Sequence, residues 1–459
     1  MIKRIKKSIP IIFLSLLIGC TTTPKNKTTY FGGKIINPKS NYLILYHQEK
    51  AIDTFFLDKK NTFLKKITLK TEGLYYFKHG IEYQFLYLVP QDSLLFRLNT
   101  WDFDGSLVFS GKGAARNNIL IDCFLDSEKD SKQFYKHFQL SPLKIKQKID
   151  SIKLIKLTKY HSFIDRNPNE SNSFKDILTI ALTYPLYSKL EQYILSHKRC
   201  KKKHALDLSK ISSFYEHRKH ININRDSLMY FFAYSNYVTN YLYNLSYKKT
   251  HNFSSEFIKN LLYIIDKNIV SEKTKNELLK QTIISHFYNQ SSCKNYEKVF
   301  FTFFKLNTNI KHKKKVQQLL NDTKLVKSGE KMSNFLFTDF NNNKHSINNT
   351  IKGKASSLLF WNPKNMSTGY LASRIKFLSS KYPKIQFIQI KIDGTLHDKI
   401  NKLDIKTQFF IDSLSNANTF LSSKFSRTIL VDKKGIITNG FASLYSRKIH
   451  QQLEKLQKE

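Results

Sequence analysis

The sequence predicts an α+β chain of several domains: a β-sandwich-like N-terminal domain, a helical middle domain and an α/β C-terminal domain. Three observations carry this. Residues 28–114 hold short aromatic and β-branched runs broken by polar turns; residues 115–328 lose that pattern and show long helical periodicities; from Met332 strand and helix alternate. A length of 459 residues is enough for two or three such domains.

In the N-terminal part the runs are 42–46, 54–57, 74–77, 83–89, 93–98 and 106–109. Their spacing, with Asn-Pro-Lys, Lys-Lys-Asn, Lys-His-Gly and Pro-Gln-Asp between them, predicts an antiparallel sandwich. In the middle, Tyr230, Tyr234, Tyr237 and Tyr241 fall on one helical stripe. Such a stripe reads as a buried seam whose hydroxyls find partners, rather than a ligand groove. Ser328-Gly329-Glu330 reads as a linker into the C-terminal domain, 330–459.

The first nineteen residues are an address. Lys3, Arg4, Lys6 and Lys7 precede an apolar run over 11–18, far shorter than the roughly 20 residues a spanning helix needs. The run ends Leu17-Ile18-Gly19-Cys20, which resembles the lipobox of bacterial lipoproteins. The resemblance implies cleavage after Gly19 and acylation of Cys20, with several acyl chains giving a stable anchor. Residues 20–27 then form a polar tether, and the expected location is a membrane facing the periplasm of a bacterial envelope.

Residues 1–19 carry four basic groups and no acid, so the net charge of +41 becomes +37 in the mature chain. Such a chain is attracted to anionic lipid or envelope polymer. Export and the lack of a nucleic-acid motif argue against nucleic acid as partner. Beside Cys20 there are three widely spaced cysteines, Cys123, Cys200 and Cys293, and no Cys-x-x-Cys. An odd number leaves at least one unpaired.

The C-terminal domain carries a resemblance in motif and in order. Ser333-Asn334-Phe335-Leu336-Phe337-Thr338-Asp339 opens a hairpin, Ser357-Leu358-Leu359-Phe360-Trp361 is a first strand, and a helix covers about 367–382. A second strand lies at 385–393, Phe425-Ser426-Arg427-Thr428-Ile429-Leu430-Val431-Asp432-Lys433-Lys434-Gly435-Ile436 leads a hairpin, and a helix over about 446–457 closes the domain. This resembles the thioredoxin-like thiol–disulfide oxidoreductases anchored in bacterial envelopes. The family implies Trp-Cys-x-x-Cys at the start of the first helix, where the helix N-terminus lowers a thiol's pKa for attack on a disulfide. In register with Phe360-Trp361, those cysteines fall at Asn365 and Thr368, and neither can exchange disulfides. The family's cis-proline, which holds bound substrate chain, falls at Ser426, where a trans bond is expected. No catalytic residue is assigned. The redox site reads as degenerate at Asn365, Thr368 and Ser426.

Two further clusters have ligand-like spacing. His197-x-x-Cys200-x-x-x-His204 sits in a strongly basic run and reads as a solvated loop, and His217 with His220 beside Glu216 reads as surface histidines. No metal or cofactor is expected. Two functional classes then compete. One is a redox-inactive binding or scaffolding lipoprotein whose thioredoxin-like surface holds a protein or peptide partner. The other is a thiol–disulfide oxidoreductase that recruits a remote cysteine such as Cys293 or Cys123.

Overall fold

The computed structural model describes residues 28–200, 213–250, 254–289, 297–363, 366–393, 399–400, 403–446 and 448–458. It is a mixed α/β molecule with several sheets and helices. Eight strands come first: β1 (Thr29–Ile36), β2 (Tyr42–His47), β3 (Lys50–Phe56), β4 (Thr62–Ile67), β5 (Gly73–His79), β6 (Glu82–Leu88), β7 (Ser93–Asn99) and β8 (Val108–Lys112). They form two four-stranded sheets, ordered β4-β1-β7-β8 and β3-β2-β5-β6. Alternation places Phe31, Phe63, Leu94 and Phe96 of the first sheet against Leu43, Phe55, Phe77 and Leu86 of the second, all buried. Phe31 meets the rings of Phe55 and Phe63 edge-on at 5.3 and 5.5 Å.

The expected all-antiparallel pattern fails at one pair, since β1 runs parallel to β7. All four strands of the second sheet lie between those two in the chain. The chain therefore returns to β1 by a long crossover, which a parallel pair requires and a hairpin cannot supply.

Among the described residues eight α-helices follow: α1 (Ala114–His137), α2 (Pro142–Arg166), α3 (Asn172–Cys200), α4 (Phe232–Thr250), α5 (Ser255–Asn268), α6 (Glu272–Asn289), α7 (Glu297–Leu306) and α8 (Ile310–Lys324). The tyrosine stripe runs from just before α4 into its middle, and Tyr234 and Tyr237 are fully buried. The Tyr230 hydroxyl donates to the Leu74 carbonyl at 2.6 Å, and that of Tyr234 to the Asn222 carbonyl at 2.8 Å. Tyr237 departs from the expectation, because its buried hydroxyl has no hydrogen bond among the described residues. Asn117 ties α1 to the sandwich by accepting from the Tyr87 amide and donating to the Tyr87 carbonyl.

The C-terminal part contains β9 (Leu336–Asp339), β10 (Lys344–Ser346), α9 (Ile347–Ile351), β11 (Ser356–Trp361), α10 (Thr368–Lys381), β12 (Gln386–Lys391), β13 (Gln408–Phe410), α11 (Ala417–Phe420), β14 (Arg427–Val431), β15 (Ile437–Ala442) and α12 (Ile449–Lys458). Its sheet runs β10-β9-β13-β12-β11-β14-β15. β11 and β12 are parallel and joined through α10, whereas β14 and β15 are antiparallel. Every residue of β11 and β14 is buried, as befits central strands covered on both faces, including the polar Ser356, Ser357, Arg427 and Thr428. The β14–β15 turn uses Gly435 at φ +80°, with Asp432 Oδ1 accepting from the Lys434 and Ile436 amides at 2.9 and 2.8 Å.

The segment expected to be a linker is bonded to the last strand. The Gly329 amide donates to the Ile437 carbonyl and the Ile437 amide to the Glu330 carbonyl, at 2.8 and 2.9 Å. One apolar core extends from Leu74 and Tyr87 through the helices to Phe337, Leu358 and Phe441. The helical segment is thus packed against both β regions. Among the described residues, no helix is long and apolar enough to cross a membrane.

Candidate functional site

Of the positions matched to the redox site, Thr368 lies beyond the C-terminal end of β11 and Ser426 at the start of β14. Asn365 and Cys20 lie outside the described residues. Thr368 is the first residue of α10, whose N-cap Ser367 accepts a hydrogen bond from the Tyr370 amide through its hydroxyl. The helix terminus is therefore capped by an oxygen of its own chain. Trp361, fully buried at the end of β11, packs with Met366, Leu371 and Ile375.

Ser426 precedes β14 and lines a cavity of about 490 Å³. No cis peptide bond occurs among the described residues, so the bond into Ser426 is trans as expected. The cavity has an apolar side made by Leu359, Met366, Phe425 and Leu444, and hydroxyls from Ser426, Ser443 and Ser446. That volume and mixture suit a small ligand or an inserted side chain. It contains no thiol, and residues 330–459 contain no cysteine at all.

One wall of this cavity comes from the helical segment. The Tyr288 hydroxyl, on α6, donates to the Ser426 carbonyl at 2.8 Å, and burial pushes its phenol pKa well up. Phe287 meets Phe441 edge-on at 4.4 Å. Behind them lies a fully buried ion pair, Asp322 of α8 with Arg427 of β14, 3.4 Å apart. The Asp322 carboxylate also accepts from the amides of Ser422 and Ser423, at 2.9 and 3.1 Å. The Arg427 guanidinium lies 4.4 Å from the Phe441 ring centre. Burial pushes its pKa down to about 10, against the opposing pull of Asp322. Neither Tyr288 nor Asp322 carries a spacing or motif signal, and Arg427 stands out only as part of a strand, since their partners are more than a hundred residues away.

The N-terminus of α10 opens on a second cleft, about 800 Å³, shared with the sandwich turns. Lys39, His79, Glu82 and Trp101 face Ser367, Thr368 and Gly369 across it. His79 is held there by the Lys39 amide at 2.9 Å, and burial lowers its pKa.

Of the remaining cysteines, Cys293 lies outside the described residues. Cys123 is free and buried on α1, with its thiol pushed up to about 12 by burial. That is the reverse of what a nucleophilic thiolate needs. The His197-x-x-Cys200-x-x-x-His204 side chains also lie outside the described residues. His217 corrects the surface reading. Its ring is buried, stacks on Tyr187 with centres 4.8 Å apart, and places Nε2 3.0 Å from Glu191. Glu191 is fully buried on α3 and is also paired with Arg218, so the ring completes a buried charge cluster. His220 is exposed, as expected. Among the described residues no three His, Cys, Asp or Glu side chains could share a metal ion.

The order β13-β12-β11-β14-β15, with α10 between parallel strands and an antiparallel final hairpin, decides the fold of this part. The C-terminal part is thioredoxin-like. Solved structures similar to it include the thioredoxin domain of a thiol–disulfide oxidoreductase from Bacteroides vulgatus. That similarity has 20% identity and a TM-score of 0.22, over 28% of this chain and 96% of that one. A thiol:disulfide interchange protein from Bacteroides sp. matches at 20% identity and TM-score 0.24, over 29% and 92% of the two chains. A secreted disulfide oxidoreductase from Mycobacterium tuberculosis matches at 13% and 0.21, over 26% and 95%. No family model matches the chain. No curated protein matches it either.

Proposed function

We propose that this chain is a lipoprotein of the bacterial envelope, held by acyl groups on Cys20, whose thioredoxin-like part binds or scaffolds rather than transferring electrons. The observation that carries the reading is the absence of any cysteine from residues 330–459, in a part that keeps its fold and a cavity beside Ser426. Thiol–disulfide exchange needs a thiolate and a second sulfur in reach. Oxygen and amide side chains at Thr368, Ser426 and Asn365 supply neither. Recruitment of Cys123 is disfavoured by its burial and raised pKa. The cavity's apolar wall and hydroxyl rim suit a protein or peptide segment, or a small molecule of similar character.

The anchor is tested by growth with labelled palmitate. The wild-type chain is expected to carry label and to sediment with membranes, and Cys20→Ala is expected to lose both. Label retained in Cys20→Ala would refute acylation at that residue. Absence of electron transfer is tested by insulin-disulfide reduction, where the mature chain is expected to run at the background rate.

A further inference from the structure

The outer face of the β4-β1-β7-β8 sheet has a composition unlike an ordinary solvated face. Strand register sets its side chains in three rows. The first is Lys66, Tyr30, Ser93 and Lys112; the second is Leu64, Gly32, Leu95 and Ser110; the third is Thr62, Lys34, Arg97 and Val108. Four of these twelve residues are cationic and none is acidic. Leu64 and Leu95 make the middle row largely apolar and open to solvent, 66% and 39% exposed, and Val108 on the edge strand adds a third apolar side chain, 58% exposed. Gly32 lets the two leucines close over the central strand, because a Cβ there would lie 2.8 Å from Leu64 Cδ1 and 2.9 Å from Leu95 Cδ2. An apolar centre with a tyrosine and a cationic rim matches a phospholipid surface, where stems and rings reach the acyl boundary and the charges meet phosphate.

The position of this face relative to the anchor points the same way, and this step rests on the acylation of Cys20 proposed above. The chain enters the sheet at Thr29, next to the row holding Tyr30, Lys66 and Lys112. Eight residues separate Cys20 from Thr29, a reach of at most about 30 Å. We infer that the outer face of the β4-β1-β7-β8 sheet lies on the membrane that holds the lipid and binds its anionic phospholipids. The +37 charge of the mature chain is then put to use at one place, with Lys34, Lys66, Arg97 and Lys112 contacting headgroups and Leu64, Leu95, Val108 and Tyr30 sitting between them.

The test uses the mature-length chain with Cys20→Ser, which carries no acyl group, and phosphatidylcholine vesicles with a rising share of phosphatidylglycerol. Bound fraction is read by co-sedimentation. Binding should rise with phosphatidylglycerol, and the Lys34→Glu, Lys66→Glu, Arg97→Glu, Lys112→Glu variant should bind at least about a hundredfold more weakly. A variant of identical net charge, with exposed Lys352, Lys354, Lys433 and Lys434 changed to Glu, should lose less than about tenfold. Leu64→Ser with Val108→Ser, which leaves every charge in place, should lose several-fold. Equal losses in the two charge variants would overturn the inference, and so would indifference of the parent chain to phosphatidylglycerol. Retention of the parent chain by an acidic wall polymer but not by vesicles would also overturn it. Palmitate labelling reads the anchor and this titration reads the face, so each fails by itself.

Discussion

Replacing Asp322 with alanine is expected to destabilise the chain by about 3–5 kcal/mol, the cost of leaving a buried charge without its partner. The Arg427 guanidinium would remain fully buried between β14 and the helical segment with its carboxylate gone. The Ser422 and Ser423 amides would lose their acceptor in the same step. Each of those losses costs about 1–3 kcal/mol when the group stays buried. Urea unfolding of Asp322→Ala against wild type should show a clearly lower midpoint. The double variant Asp322→Ala, Arg427→Met should recover a large part of the loss, since an apolar pair avoids the desolvation penalty. A loss under about 1 kcal/mol in the single variant would show that the pair does not hold α8 to the sheet.

Acid should weaken the chain between pH 6.5 and 4, and His286 should account for much of that. His286 is buried on α6, and burial lowers its pKa from 6.5 to about 4. Its folded pKa lies below its unfolded one. As pH falls through that window the unfolded chain takes a proton that the folded chain refuses, and stability drops. Two and a half pH units correspond to about 3 kcal/mol as an upper figure. His47 and His79 are lowered by burial too and act with the same sign. Asp339 contributes only lower down, because its carboxyl, held at about 2, loses stability as pH falls below the ordinary carboxyl range. Unfolding midpoints of wild type and His286→Gln between pH 7 and 4 should therefore converge on acidification. Parallel slopes would sink the assignment.

Local pattern reveals local structure, and the C-terminal part shows how far that extends. The strands at 357–361 and 427–431 read correctly because each carries an unbroken apolar stretch, 358–361 and 429–431, as a buried central strand does. The Asp432–Gly435 turn read correctly because an Asx turn and a positive-φ glycine leave a fixed signature. The position of Ser426 followed by counting back from that turn. Its surroundings did not, since Tyr288 is 138 residues away and nothing in its own helix marks it as a wall of the cavity. The same holds for the buried charges. Asp322 and Arg427 look like any surface acid and base until the fold brings them together, and Glu191 hides His217 in the same way. The parallel β1–β7 pair was missed because strand propensity carries no direction. β13 has only three residues, and its neighbours make it a strand.

Electron transfer is the property that separates a binding role from a redox one. The measurement is insulin-disulfide reduction with dithiothreitol, comparing residues 21–459 with the same chain carrying Cys123→Ser, Cys200→Ser and Cys293→Ser. Both are expected to run at the rate of dithiothreitol alone, because the thioredoxin-like part holds no sulfur that can exchange. Turnover above that rate in the first chain, lost in the second, would show a working thiol and contradict that expectation.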